Sequence, residues 1–383
     1  MKYKVTYLRE VVSFISKGIA PKYVEKDSID SVRVVNQRCN RNNRISLQNS
    51  RLNNLKMRNV PKIKYLHKGD ILINSTGVGT AGRVAQIKEN FDKPVTFDGH
   101  MILIRGNSQI DSLFLGYYLE KNQRVIEQFA EGSTGQTEIN RERLLDELVI
   151  KFPTSVDEQR RLAEKFRLLD RKIDLNNQIN DNLLELIKAS FNKIVIDKSK
   201  EETISKIFRV YSGFAFNKND WADDGKPIIK IKDINNMTIN LENLSKVNNL
   251  DKLKRAEKYY ITGGEIVIAL TGATLGKFGI VPYNFKGYVN QRVGLIFPKL
   301  SEVSVLGILL QKDIMNRIIS LGHGSAQPNI SPTTINKLIV NIDIKSCKKF
   351  DKTFAPIYQE IIYNLYEKQL LQNIKQELML KLF

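Results

Sequence analysis

The chain has 383 residues, of which 42% are hydrophobic and 26% charged, and carries a net charge of +19. That length allows two domains with separate cores, and the composition is that of a soluble globular protein with no run apolar enough to span a membrane. Two distant cysteines (Cys39 and Cys347) and three histidines (His67, His100 and His323) exclude a disulfide framework and offer no metal-ligand spacing. The excess of positive charge favours a polyanionic partner, most simply nucleic acid, although a solvated lysine-rich surface would give the same total. The interrupted apolar run Val11, Val12, Phe14, Ile15 is too short for a signal peptide, so a cytoplasmic protein without a membrane partner is expected.

In chain order, Phe14-Ile15-Ser16-Lys17-Gly18 is the first of several segments that occur twice, returning within a residue as Val210-Tyr211-Ser212-Gly213-Phe214. Val34-Val35-Asn36-Gln37-Arg38 is matched by Ile228-Ile229-Lys230-Ile231-Lys232. Gly69-Asp70-Ile71-Leu72-Ile73-Asn74-Ser75-Thr76-Gly77 returns as Gly264-Glu265-Ile266-Val267-Ile268-Ala269-Leu270-Thr271-Gly272. Asp98-Gly99-His100 corresponds to Asn290-Gln291-Arg292, and Thr134-Gly135-Gln136-Thr137-Glu138-Ile139 to Ser325-Ala326-Gln327-Pro328-Asn329-Ile330. The order is kept, but identities are fewer than similarities, so the copies share a scaffold and not a ligand surface. The Ile- and Val-rich runs at 71–73, 101–104, 266–268 and 295–297 predict strands. Leu113 to Phe129 and Val305 to Ile319 predict helices by their apolar spacing. Each copy is a mixed domain, and the fold class is α+β.

Between the copies the pattern changes. After Pro153, Asp157-Glu158-Gln159 suits a helix start. Leu162, Phe166, Leu169, Ile173, Asn176, Asn180, Leu183, Ile187, Ser190 and Ile194 then follow at alternating four- and three-residue steps, a coiled-coil seam. A helix from about Asp157 to Ile196 would be on the order of 60 Å long. A looser seam closes the sequence: Phe354, Ile357, Ile361, Leu365, Leu371, Ile374, Leu378 and Leu382. Either helix could pack on its own domain. Pairing with each other is expected because both follow equivalent domains, with Asn176 and Asn180 fixing the register. The expected boundaries are 1–152, 153–198, 199–343 and 344–383.

Signatures of catalysis are missing. Gly272-Ala273-Thr274-Leu275-Gly276-Lys277-Phe278 is one residue short of a phosphate-binding loop and has Phe where a hydroxyl is needed, so Lys277 reads as a surface or DNA-facing lysine. There is no Pro-Pro-aromatic turn, no Gly-x-Ser-x-Gly elbow and no His-Glu-x-x-His helix. A lone His100, opposite Arg292, suits a structural or hydrogen-bonding role better than a base. A nuclease site built of scattered carboxylates stays open, as does a helical scaffold or regulator.

Groups suited to reading bases are plentiful. Asn36, Gln37, Arg38, Arg41 and Arg44 place amides beside guanidiniums, and Asn290, Gln291 and Arg292 repeat that chemistry. Ser75, Thr76 and the glycines after them, like Thr271 and Gly272, offer small hydroxyls and open N–H groups for phosphates; a tight turn explains them equally well. Arg41 to Arg51 could also be a mobile polar loop.

Residues 69 to 85, with Gly132-Ser133-Thr134-Gly135-Gln136, Ile139, Leu144, Pro153-Thr154 and Asp157-Glu158-Gln159, resemble the most typical segments of specificity subunits of type I restriction–modification systems. The resemblance covers the whole chain: target-recognition domain, helix, target-recognition domain, helix. The second copy departs from it, with a Gly272–Gly276 loop one residue shorter and Leu270 in place of Ser75. The resemblance implies a subunit without chemistry of its own. It would bind a bipartite, asymmetric double-stranded DNA sequence, one domain per half, with an antiparallel helix pair as the ruler of the gap. Its partners would be two methyltransferase subunits and, through them, two restriction–translocase subunits. S-adenosylmethionine, ATP and Mg would belong to those partners, with no cofactor or metal on this chain. The residues expected at DNA are Lys17, Asn36, Gln37, Arg38, Arg41, Arg44, Ser75, Thr76, Arg83, His100, Thr134 and Gln136 in the first copy. In the second they are Lys230, Lys232, Thr271, Lys277, Asn290, Gln291, Arg292, Ser325 and Gln327.

Overall fold

The computed structural model describes residues 2–132, 137–196, 200–235, 237–322 and 328–383. They form two units: residues 1–170 with 373–383, and residues 171–372.

In the first unit, one antiparallel sheet has the strand order Val12–Lys17, Met101–Gly106, Ile71–Asn74, Val84–Gln86. The residues of Ile71–Asn74 are all buried, which is why this strand reads as a continuous apolar run with no alternation. A second sheet has the order Val95–Phe97, Ser31–Val35, Arg51–Asn54, Tyr23–Val24, its first pair parallel. The second unit repeats both. Phe208–Ser212, Val293–Pro298, Ile266–Ala269 and Phe278–Ile280 form the first sheet, extended by Met237–Ile239 and Ile234–Asn235. Ser245–Val247, Lys226–Ile229, Gly287–Val289 and Tyr260–Ile261 form the second, again with one parallel pair.

The helices expected over 113–129 and 305–319 are each broken. The first becomes Ser112–Lys121 and Gln123–Glu127, the second Glu302–Leu309 and Lys312–Ser320. At the first break Asn122 donates its side-chain amide to the Tyr118 carbonyl at 2.8 Å, a local bond that competes with helix continuation.

The central helix, Val156–Phe191, continues as a π-helical turn over Asn192–Ile196, and the C-terminal helix spans Ile344–Leu382. Each unit contains a stretch of both. In the second unit they run antiparallel. Asn176 donates to Glu367 at 2.6 Å, Asn180 and Asn364 share a 3.0 Å bond, and the Phe191 and Phe350 rings meet edge to face at 5.2 Å. The bond from Asn176 and the Lys172 charge hold the Glu367 carboxyl below its ordinary value. In the first unit the Phe383 ring packs on Phe114, Tyr118 and Phe166. There Asp170, only 6% exposed, binds Lys88 at 2.5 Å, Lys375 at 2.8 Å and the Tyr117 hydroxyl at 2.8 Å. Burial would raise the Asp170 value, but the two ammonium groups win and hold it at about 2.

The buried face of the central helix is wider than a two-position seam. Leu162, Phe166, Ile173, Asn176, Asn180 and Ile187 are buried as expected, but Leu169, Leu183 and Ser190 are half-exposed while Asp170, Leu184 and Phe191 are buried. The helix packs on its unit as well as on the other helix. Phe191, for example, lies against Gly307, where a Cβ would meet its ring at 2.3 Å. A face shared between two neighbours needs the broader stripe.

Candidate nucleic-acid interface

In each unit the same four pieces of backbone meet at one end of the paired sheets. They are the turn after Ser31–Val35, the glycine loop after Ile71–Asn74, the turn at Asp98–His100, and the segment ending at Ile139. Matching hydrogen bonds fix the correspondence. Asp98 N donates to Val35 O as Asn290 N does to Ile229 O, both at 2.9 Å. Ser75 N donates to His100 O at 2.8 Å, and Leu270 N to Arg292 O at 3.0 Å. Ile139 N reaches Ser75 O at 2.7 Å, and Ile330 N reaches Leu270 O at 2.8 Å. Gly82 N and Gly276 N close the two glycine loops onto Asn74 O and Ala269 O, both at 2.9 Å. Arg83 and Lys277 are therefore equivalent, across a loop one residue shorter in the second unit. Gly18 matches Gly213, since an added Cβ at either would strike carbonyl oxygens within 2.5 Å.

On this common frame the side chains differ. In the first unit Asn36 is buried: its amide oxygen accepts from Arg38 N at 2.9 Å and its amide nitrogen donates to Asn49 O at 2.9 Å. The amide thus caps the turn Gln37–Cys39 and leaves Arg38 exposed at its outer edge. The Thr76 hydroxyl lies 2.8 Å from His100 Nδ1 and 3.4 Å from Gln37 Oε1, so residues from three of the pieces converge. Arg83 donates to Gly79 O at 3.1 Å and Lys17 pairs with Glu138, so both cations brace the interface from within. Ser75 is fully buried behind the loop. Asn42 and Asn43, at φ 53° and 57°, turn a hairpin that pairs Arg41 with Arg44. Two successive left-handed residues are the requirement of a two-residue hairpin turn, and asparagine tolerates them. The polar stretch after Arg41 is therefore built around a hairpin that presents two arginines.

In the second unit the turn Ile231–Asp233 is held by Asp233, whose carboxylate accepts from Lys230 N at 2.8 Å. Burial raises the Asp233 carboxyl above its usual range. Burial also lowers the Lys230 ammonium, which lies 3.3 Å from the centre of the Trp221 ring. Lys232, Lys277, Gln291 and Arg292 are exposed, Thr271 is half-buried, and Asn290 is buried with its oxygen facing Arg292 N. The equivalent hairpin pairs Asn235 with Thr238 where the first unit has Arg41 and Arg44.

Sixteen of the 21 residues singled out by sequence fall on these pieces of the two units or on the hairpin that follows the first; Lys17, at the end of the strand Val12–Lys17, reaches them through Glu138, and Thr134, Gln136, Ser325 and Gln327 lie outside the described residues. Supporting groups were missed. Asn40 donates to Asn74 at 3.1 Å and to Arg83 O at 2.8 Å, and Asn74 donates to Gln37 O at 3.2 Å. An asparagine ending the apolar run Ile71–Asn74 was the available signal. Nothing local marked Tyr23, Arg51 or Trp221. Among the described residues no group of three or more His, Cys, Asp or Glu is placed to hold a metal ion, and no helix is long and apolar enough to cross a membrane.

The family model described as type I restriction modification DNA specificity domain matches residues 3–185 and again residues 196–376. The chain belongs to this family. It carries two DNA specificity domains, and its role is that of a DNA specificity subunit. The S subunit of a type I restriction–modification system from M. genitalium shares the fold, with a TM-score of 0.57 and 18% identity over 100% of this chain and 96% of that one. A chain from the assembly and conformational transition of the type I R-M system is similar at a TM-score of 0.39 and 11% identity, covering 99% and 97%. The HsdS subunit from Thermoanaerobacter tengcongensis is similar at 0.36 and 12%, covering 100% and 96%. No curated protein matches the chain.

Proposed function

We propose that this specificity subunit binds a bipartite, asymmetric duplex sequence, one unit reading each half, and does no chemistry itself. The observation that carries the reading is the common frame with unequal side chains. Two scaffolds with matching hydrogen bonds dock alike, while Asn36 against Lys230, His100 against Arg292, and Arg41–Arg44 against Asn235–Thr238 would prefer different bases. Other exposed cations, such as Lys232 and Lys277, supply phosphate contacts, and a net charge of +19 supports them. Asn36, Ser75 and Asn290, being buried, act by positioning the turns.

The long helices set the gap between the half-sites and dock two methyltransferase subunits, which bring two restriction–translocase subunits; S-adenosylmethionine, ATP and Mg act on those partners. Exposed apolar side chains support docking. In the second unit Leu175 and Leu186 on the central helix, and Tyr363 and Leu370 on the C-terminal helix, lie away from the buried face. Helices with apolar residues on a second side suit a protein partner.

The test is methylome sequencing of cells that carry the chain with a methyltransferase partner. A two-part motif with a fixed gap is expected, and one heptad inserted near Asn180 should change the gap and leave both halves intact. A contiguous motif, or a gap that ignores the insertion, would reject the reading.

A further inference from the structure

Two cations at the interface are bound to the chain's own oxygens: Lys17 to Glu138, and Arg83 to a loop carbonyl. Two others instead rest on aromatic rings. Lys230 Nζ lies 3.3 Å from the Trp221 centroid, and Arg51 Cζ lies 3.4 Å from the Tyr23 centroid. These are the two shortest cation–ring distances among the described residues. Both rings come from the same connecting segment of their units, after Lys17 in one and after Ser212 in the other.

Both pairs adjoin the reading turns. Arg51 is cross-strand from Val34, two residues before Asn36, and the Tyr23 hydroxyl is 3.5 Å from Asp98 in the turn that carries His100. Lys230 opens the turn equivalent to Asn36. Trp221 is tied to the opposite turn through Phe216 (5.9 Å) and then Phe214 (5.0 Å), whose backbone bridges to Asn290.

A lysine that meets a phosphate works as a hydrated point charge on a flexible stem. A group that reads a base edge must be held in place and partly stripped of water. A ring face does both, since it attracts the cation and replaces part of its hydration. We infer that Arg51 and Lys230, backed by Tyr23 and Trp221, each read a base in one of the two half-sites, recognising an acceptor-rich base edge such as guanine O6 and N7 in the major groove. Tyr23 and Trp221 are positioning residues. The inference rests on the proposed DNA reading and goes beyond it by naming one ring-backed cation in each half-site that sets base identity.

The experiment is selection by the full-length chain from a duplex library with randomised positions, together with the salt dependence of its binding to one unselected duplex. For Lys230→Met, discrimination at one base pair of one half-site falls about tenfold or more, while the other half-site and the salt slope stay as in the parent. Arg51→Met does the same to the other half-site. Trp221→Leu shifts the Lys230 position in the same direction, and Trp221→Phe, which keeps a ring, restores most of it. The unaffected half-site in each variant reports that the chain is folded. An equal loss on every sequence, with a salt slope lower by about one, would make these cations phosphate contacts and overturn the inference. So would a Trp221→Leu profile identical to the parent's. A parent chain that selects no sequence defeats the DNA reading itself, a different result from a parent that selects and variants that do not respond.

Discussion

The two units solve the same mechanical problem with different chemistry. In the first, the helices are held by a charge cluster: the buried Asp170 between the half-buried Lys88 and Lys375, with Glu120 within 3.5 Å of both lysines. In the second, the helices meet through Asn180 and Asn364 and through stacked and edge-on Phe191, Phe350 and Phe354. The interfaces differ in the same way. Polar side chains converge on the first unit's glycine loop (Gln37, Thr76, His100), whereas Ile231 lies beside the second unit's loop, 3.7 Å from a Cβ added at Gly272. Backbone hydrogen bonds fix a frame and leave side chains free to vary, so one scaffold can serve two targets.

Four perturbations break or sharpen this contrast, in falling order of effect. Asp170→Ala removes the buried carboxylate that both lysines share and leaves the two half-buried ammonium groups on Glu120 alone; it should cost about 3 kcal/mol in denaturant unfolding, against about 1–2 kcal/mol for Asn180→Ala, which strands only a neutral amide. The pH dependence separates them further. The folded Asp170 value of about 2 is depressed, so its stabilisation is whole above about pH 4 and is lost as pH falls toward 2. Asp170→Ala should flatten that acid limb and Asn180→Ala should not. Equal costs and equal acid limbs would erase the distinction.

Next is the glycine loop. Gly77 has φ +112°, and a Cβ there would meet Thr80 Oγ1 at 2.3 Å and Gln37 Oε1 at 2.9 Å; Gly272 has φ +75° and its nearest neighbour is 3.7 Å away. Gly77→Ala should cost about 2–3 kcal/mol of stability and Gly272→Ala about 1 kcal/mol, read from thermal unfolding. Matching costs would mean that the side-chain packing of the first loop contributes nothing. On the proposed reading, Arg38→Ala should relax one half-site by about 1–3 kcal/mol in competition binding and leave the other unchanged. A uniform loss on unrelated sequences would make Arg38 a phosphate contact. The smallest effect is Lys17→Met. Its pair with Glu138 is half-exposed and should contribute less than about 1 kcal/mol, with a deficit that shrinks in high salt. A deficit independent of salt would point to packing of the stem.

Much of the interface could be read from the chain. The repeated glycine loops, the Asn36–Arg38 turn and its Lys230–Lys232 counterpart, and the Asp98 and Asn290 turns all fall on the pieces that meet. Glycine spacing and apolar runs are local signals, and a repeated local signal is hard to mistake. What could not be read was how the side chains are used. Asn36 looked like a base reader because an asparagine beside an arginine suits adenine, but its amide is bound on both sides to backbone. Arg51 looked like part of a polar loop, and only strand pairing sets it over Tyr23. A heptad seam placed Leu169, Leu183 and Ser190 inward, and the second neighbour of the helix turned it toward Asp170, Leu184 and Phe191.

Sequence by itself determined the duplication, the two long helices, the polar seam positions Asn176 and Asn180, and the family. Each depends on periodicity or order along the chain, which a linear pattern records. Tertiary structure alone decided that Lys88, Glu120, Asp170 and Lys375 share one cluster, and that Trp221 lies under Lys230. Those contacts join residues from separate elements, and their energies depend on burial and distance, which come into being only when the chain has closed on itself.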